Sequence, residues 1–206
     1  MRVALIGASG SVGSRIMNEL VRRGHRVTAI ARHPEKLKTT QQVTPRRGDV
    51  NDPGGLAKAI AADDLVVVSV KFKDMDPRKV IDAVQKSGLK RLLIVGGAGS
   101  LEVAPGKALV DQPNFPPQYK EESLAGRDFL NALRALPPDQ PVEWVYISPS
   151  ALFAPGQRTG KFRIGGDQLL ADAKGHSAIS QEDFAIALVD ELENKKHSRK
   201  RFTVGY

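Results

Sequence analysis

The 206-residue chain has no cysteine, one tryptophan and three methionines, and only 5% of it is aromatic. Without cysteine there can be no disulfide, no thiolate-ligated zinc and no thiol nucleophile, a combination compatible with a reducing cytoplasm. Its four histidines, His25, His33, His176 and His197, show neither i, i+4 pairing nor an acidic partner at ligand spacing, so no metal site is expected. Long apolar runs are missing as well: no stretch approaches the ~18 residues that cross a bilayer. Val3 to Ile6 break at once into Gly7-Ala8-Ser9-Gly10, too short for a signal-peptide core. A cytoplasmic protein without a membrane span is the expectation. What is present, 41% hydrophobic and 26% charged residues, is the balance of a globular protein. The length favours one domain over residues 1–206.

A formal charge of +8 raises the question of nucleic acid. The densest cluster, Lys195-Lys196-His197-Ser198-Arg199-Lys200-Arg201, has no interleaved aromatics and no reader motif, and reads as a solvated loop between a helix and the last strand.

Order along the chain is an alternation. Val3-Ala4-Leu5-Ile6 is a buried-strand pattern closed by glycine, and Val12, Ile16 and Leu20 share a helical face that Gly24 ends. Val27 to Ala31 forms a second strand, so a βαβ unit is complete within about thirty residues. Val43 opens a weaker third strand, and Pro53 stands where a helix begins. Leu65 to Val70 is β-branched without alternation, the pattern of a central parallel strand covered on both faces. A helix through Val80, Ile81 and Val84, the strand Leu92 to Val95, a helix marked by Ala125, Phe129, Leu133 and Leu136, and the strand Val142 to Ile147 follow. The expected fold is α/β, a doubly wound parallel sheet of the Rossmann type. Gly96 to Gln118 lacks periodicity and is a candidate lid. Residues 148–175 read as a small substrate-side extension with strand pieces at Lys161 to Ile164 and Gln168 to Ala171. Ser180 and Asp183 form a capping pair for a last helix, more in keeping with that role than with catalysis, and Arg201 to Val204 closes the sheet.

The chemistry is carried by Gly7-Ala8-Ser9-Gly10-Ser11-Val12-Gly13, a G-x-x-G-x-x-G pattern between first strand and first helix. Small residues let the chain turn tightly and meet a pyrophosphate, while the helix start offers free N–H groups. The dinucleotide is expected against Gly7, Ser9, Gly10, Ser11, Val12 and Gly13, with the strand-end residues Ser69, Val70, Gly96, Gly97, Ser148 and Pro149 completing the site. The second strand ends Thr28-Ala29-Ile30-Ala31-Arg32, with no carboxylate for a ribose 2′-hydroxyl. Arg32, with Lys36 as a second cation, is instead suited to a 2′-phosphate, which selects NADP(H) over NAD(H). Asp49 and Val50, at the end of the third strand, are expected at the adenine ring.

These segments, together with Ala31 to Lys36, Val95 to Ser100, Ser148-Pro149-Ser150-Ala151 and Gly165-Gly166-Asp167, carry a family resemblance over essentially the whole chain. The sequence resembles the atypical short-chain dehydrogenases/reductases that include NADH-flavin reductases and biliverdin reductase B-like flavin reductases. The resemblance implies NAD(P)H binding and reduction of a small flavin- or quinone-like acceptor. Its catalytic pattern departs from the usual one. Ser100 and Tyr119 stand where a serine and tyrosine are expected, but the lysine four residues after Tyr119 is replaced by Ser123. Ser100 is expected to orient substrate and Tyr119 to donate a proton, with Phe153 lining the acceptor pocket and Trp144 in the core. The missing lysine also leaves open a non-catalytic dinucleotide sensor that reports to a partner.

Overall fold

The structure, a computed structural model, describes residues 1–206. Strand β1 (Arg2–Ile6) runs into helix α1 (Ser11–Arg22), then β2 (Arg26–Ala31), β3 (Val43–Arg47), α2 (Pro53–Ile60), β4 (Leu65–Val68), α3 (Pro77–Ser87) and β5 (Arg91–Val95). A hairpin, β6 (Glu102–Ala104) with β7 (Lys107–Ala108), precedes α4 (Lys120–Arg134) and β8 (Glu143–Pro149). Short strands β9 (Leu152–Ala154), β10 (Arg163–Gly165) and β11 (Ala178–Ser180) lead to α5 (Gln181–Asn194) and β12 (Lys200–Gly205).

Eight strands form the main sheet in the order β10-β12-β8-β5-β4-β1-β2-β3. Every neighbour pairs parallel except β10 with β12. Residues alternate across the sheet, so each strand feeds two cores. Val66, Val68, Ile94, Trp144 and Tyr146 pack under α2, α3 and α4, whereas Val3, Leu5, Leu65, Val67, Leu93 and Ile147 point to the other face and pack under α1 and α5. This is the doubly wound α/β fold that the alternation implied, and Trp144 is core.

Three expectations need correction. The last strand does not close the sheet, because Arg163–Gly165 adds antiparallel outside β12, and this is the piece read as Lys161 to Ile164. Gln168 to Ala171 is not a strand; Gln168 makes a single bridge to Glu102. The basic cluster is only in part a solvated loop. Nδ1 of His197 lies 2.7 Å from Glu191, Arg199 donates to the carbonyls of Leu136, Pro137 and Gln140, and Arg201 is buried against Asp167. Only Lys195, Lys196, Ser198 and Lys200 are left exposed.

Candidate functional site

The carboxyl ends of the parallel strands make one continuous edge, and many of the predicted residues lie along it. Gly7 turns the chain at φ 85°, and a Cβ on it would stand 2.1 Å from the Ser69 carbonyl oxygen. A Cβ on Gly13 would stand 2.1 Å from the Gly7 oxygen. Only glycine permits this turn and the close seating of α1 beneath it.

The start of α1 is chemically unlike the others. Helices α2, α3 and α5 are capped by the side chains of Asp52, Asp76 and Ser180, and α4 has Glu121 and Glu122 in its first turn. Gly10 caps α1 with no side chain, and its first turn has no acid. The N–H groups and positive dipole end of this helix therefore face the edge uncompensated, which suits a pyrophosphate. The Ser11 hydroxyl donates to Gln181 at 2.8 Å, so Ser11 presents its backbone and ties α1 to α5.

A cavity of about 350 Å³ opens beside this turn, lined by Gly7, Ser9, Gly10, Arg32, Asp49, Val50, Ser69 and Val70 among the predicted residues. Ile6 and Ile30 give it an apolar floor. Asp49 also braces its own loop, accepting from the Asn51 N–H at 2.8 Å. Asn51, Lys71 and Asp74 line the same cavity and were not expected; only Lys71 carried a signal, as the residue directly after Val70.

Arg32 also lines a pocket without hydrophobic side chains, with His33, Arg47, Asp49 and Asp52. Parallel pairing of β2 with β3 sets Ala31 opposite Arg47, so that Arg47 lines the same pocket as Arg32. Lys36, expected in this role, sits in a short 3-10 turn started by Pro34 and lines neither pocket.

Further along the edge lies a third cavity, about 590 Å³, walled by Phe72, Phe115, Tyr119 and Phe153 and floored by Gly96, Gly97, Ala98 and Gly99. Pro149 lines it, but Ser148 is fully buried within the sheet and its hydroxyl has no partner. Tyr119 is 61% exposed at the cavity mouth. Ser100 is not brought to it: its Oγ accepts from Arg201 at 2.9 Å, in a cluster that Arg201 shares with Asp167. Ser123, in place of the absent lysine, lines the wall.

A buried tyrosine that the sequence did not flag holds the floor. The Tyr146 hydroxyl donates to the Gly126 carbonyl at 3.0 Å and accepts from the Gly97 N–H at 3.2 Å. Burial pushes its pKa well above the ordinary phenol value, so it remains neutral and serves as scaffold.

Residues 7–195 match the model of the NAD(P)H-binding family. The Bacillus subtilis protein YwnB, uncharacterised, is 38% identical over 99% of this chain and 98% of its own length. A Bacteroides thetaiotaomicron protein provisionally named an epimerase is 40% identical, with a TM-score of 0.93 over 100% of this chain and 96% of that one. A Streptococcus pneumoniae protein provisionally named an NADH-flavin reductase is 32% identical, with a TM-score of 0.84 over 100% and 99%. The chain therefore belongs to the NAD(P)H-binding family, with a Rossmann fold like that of the atypical short-chain dehydrogenases/reductases.

Proposed function

We propose that the protein is an NADPH-preferring reductase that passes hydride to a flavin, a quinone or a similar small acceptor. The observation that carries this reading is the adjacency of two unlike cavities on one sheet edge. One is glycine-lined and bordered by arginines, and the next is aromatic-walled.

The uncapped start of α1 holds the pyrophosphate through backbone N–H groups of Ser11, Val12 and Gly13. Arg32 and Arg47 hold the 2′-phosphate, and Val50, Ile6 and Ile30 pack against the adenosine. The bound dinucleotide supplies two electrons as hydride, and one proton completes the reduced acceptor. Tyr119 is the proton donor at the mouth of the cavity, with solvent as its source. Ser100 acts through the Arg201 cluster by steadying the chain after Gly99. Such a reaction draws on reduced nicotinamide, and we place the protein in the cytoplasm, where that supply and a cysteine-free chain agree.

The test is NADPH oxidation by purified protein across flavins and quinones, with NADH in parallel. Turnover with a lower KM for NADPH than for NADH is expected. Tight NADPH binding with no turnover on any acceptor would instead assign the sensor role.

A further inference from the structure

The aromatic cavity is nearly free of charge. Seventeen residues line it without a lysine, arginine or histidine, and Glu122 is the one carboxylate among them. Glu122 lies in the first turn of α4, where both oxygens are fixed by the backbone of the facing turn. Oε1 accepts from the Phe72 N–H at 2.7 Å and Oε2 from the Lys73 N–H at 3.1 Å. The charge cannot leave the wall without giving up two charge-assisted hydrogen bonds.

Neighbouring cations are directed elsewhere. Lys71 lines the dinucleotide cavity, Lys73 faces Glu121 at 3.8 Å, and Arg127 grips Asp111 at 2.9 Å. Lys120 is exposed and outside the lining. The walls are equally fixed. Phe72 stacks on Tyr146 with ring centres 5.9 Å apart and meets Phe129 edge-on at 5.7 Å, while Phe153 leans on Phe184 at 4.8 Å. Phe72 and Phe153 follow strands two apart in the sheet, whose axes are roughly 10 Å apart, with the glycine floor that follows the intervening strand between them.

We infer that Glu122 selects the acceptor by charge: the cavity takes planar two-electron acceptors that are neutral or cationic and rejects anionic ones of the same shape. The inference rests on the reading of this cavity as the acceptor site. Like charges repel more strongly beside low-dielectric walls than in water, enough for about tenfold discrimination.

Calorimetric titration of the NADP⁺-saturated protein with ortho-naphthoquinone and with its sulfonate isolates the effect from turnover. The cysteine-free chain offers no thiol for the quinones to alkylate. The neutral quinone should bind at least about tenfold tighter than the sulfonate. Glu122→Gln should shrink that ratio to below about threefold, and Asn114→Asp, which adds a carboxylate at an exposed lining position, should widen it. Equal affinities in the wild type, no binding of the neutral quinone, or a ratio unmoved by both variants overturns the inference. NADPH oxidation with the neutral quinone is read separately. Charge-selective binding without turnover removes the reductase reading alone, and turnover with equal affinities removes only the selection by Glu122.

Discussion

Arg32 and Arg47 line one pocket because two strand ends are in register, and each is expected to be felt when NADPH binds. Arg32→Ala removes a charge-assisted contact of roughly 1.5–3 kcal/mol, so affinity for NADPH should fall about 10- to 100-fold with NADH affinity little changed. Arg47→Ala should follow in the same direction by titration calorimetry. Equal loss for both dinucleotides in either variant would place that arginine away from the 2′-phosphate. The place of Arg32 at the pocket was legible from sequence, because the residue at the end of a strand is a local fact. Arg47 was not, because its meeting with Arg32 depends on the pairing of β2 with β3. Lys36 differs for a similar reason: it stands at a suitable distance along the chain, but it lies in a turn begun by Pro34 and lines neither pocket. Tyr119→Phe bears on the other cavity. It should lower kcat at least about tenfold with an acceptor that needs a proton while leaving the KM for NADPH unchanged, and an unaffected kcat would return the proton to solvent.

At the next scale up, residues 155–162 form a strap that fastens α1 to α5. Arg158 pairs with Glu19 at 3.1 Å, the Gly156 N–H donates to Glu182 at 2.8 Å, and the N–H groups of Thr159 and Gly160 both reach Asp183 at 2.8 Å. The capping signature of Ser180 and Asp183 was legible, and the Asp183 N–H does donate to Ser180 at 3.0 Å. The destination of the Asp183 carboxylate was not legible, because its partners include Tyr206, 23 residues away. Burial pushes the Glu19 carboxyl up, but Arg22, Arg158 and Arg23 outweigh it and hold the pKa at about 2, against an ordinary 4.5. Asp183 and Glu182 are likewise lowered, against their own burial, by the donors of the strap and by Arg15. A folded value below the unfolded one means stabilisation that is complete above about pH 4.5 and fades as pH falls toward 2. For Glu19 alone this amounts to on the order of 3 kcal/mol. The melting temperature should drop across that interval, and Glu19→Gln, less stable at neutral pH, should show a flatter acid limb. An unchanged acid limb in that variant would assign the acid sensitivity to other carboxylates.

Across the whole molecule the chain folds back on its beginning. Strand β12 lies between β8 and β10 in the same sheet as β1, and α5 packs beside α1. Arg23, which caps the end of α1, reaches Asp190 and Glu193 of α5 at 2.7 and 2.8 Å, and His25 meets Glu193 at 2.9 Å. Residues 148–175 are not free of this frame, since β10 extends the main sheet and β9 pairs with β11 at the entry to α5. With both ends of the chain in one pair of cores, we expect residues 1–206 to unfold in a single cooperative transition. A dinucleotide bound at the amino-terminal half should then stabilise the whole. At about a hundred times its Kd, NADPH adds roughly 2.7 kcal/mol, which for a chain of this size raises the melting temperature by about 5–10 °C. Scanning calorimetry with and without NADPH reads both expectations together. One peak that moves intact supports a single unit, whereas two peaks of which NADPH shifts only one would make the substrate-side segment a separate domain.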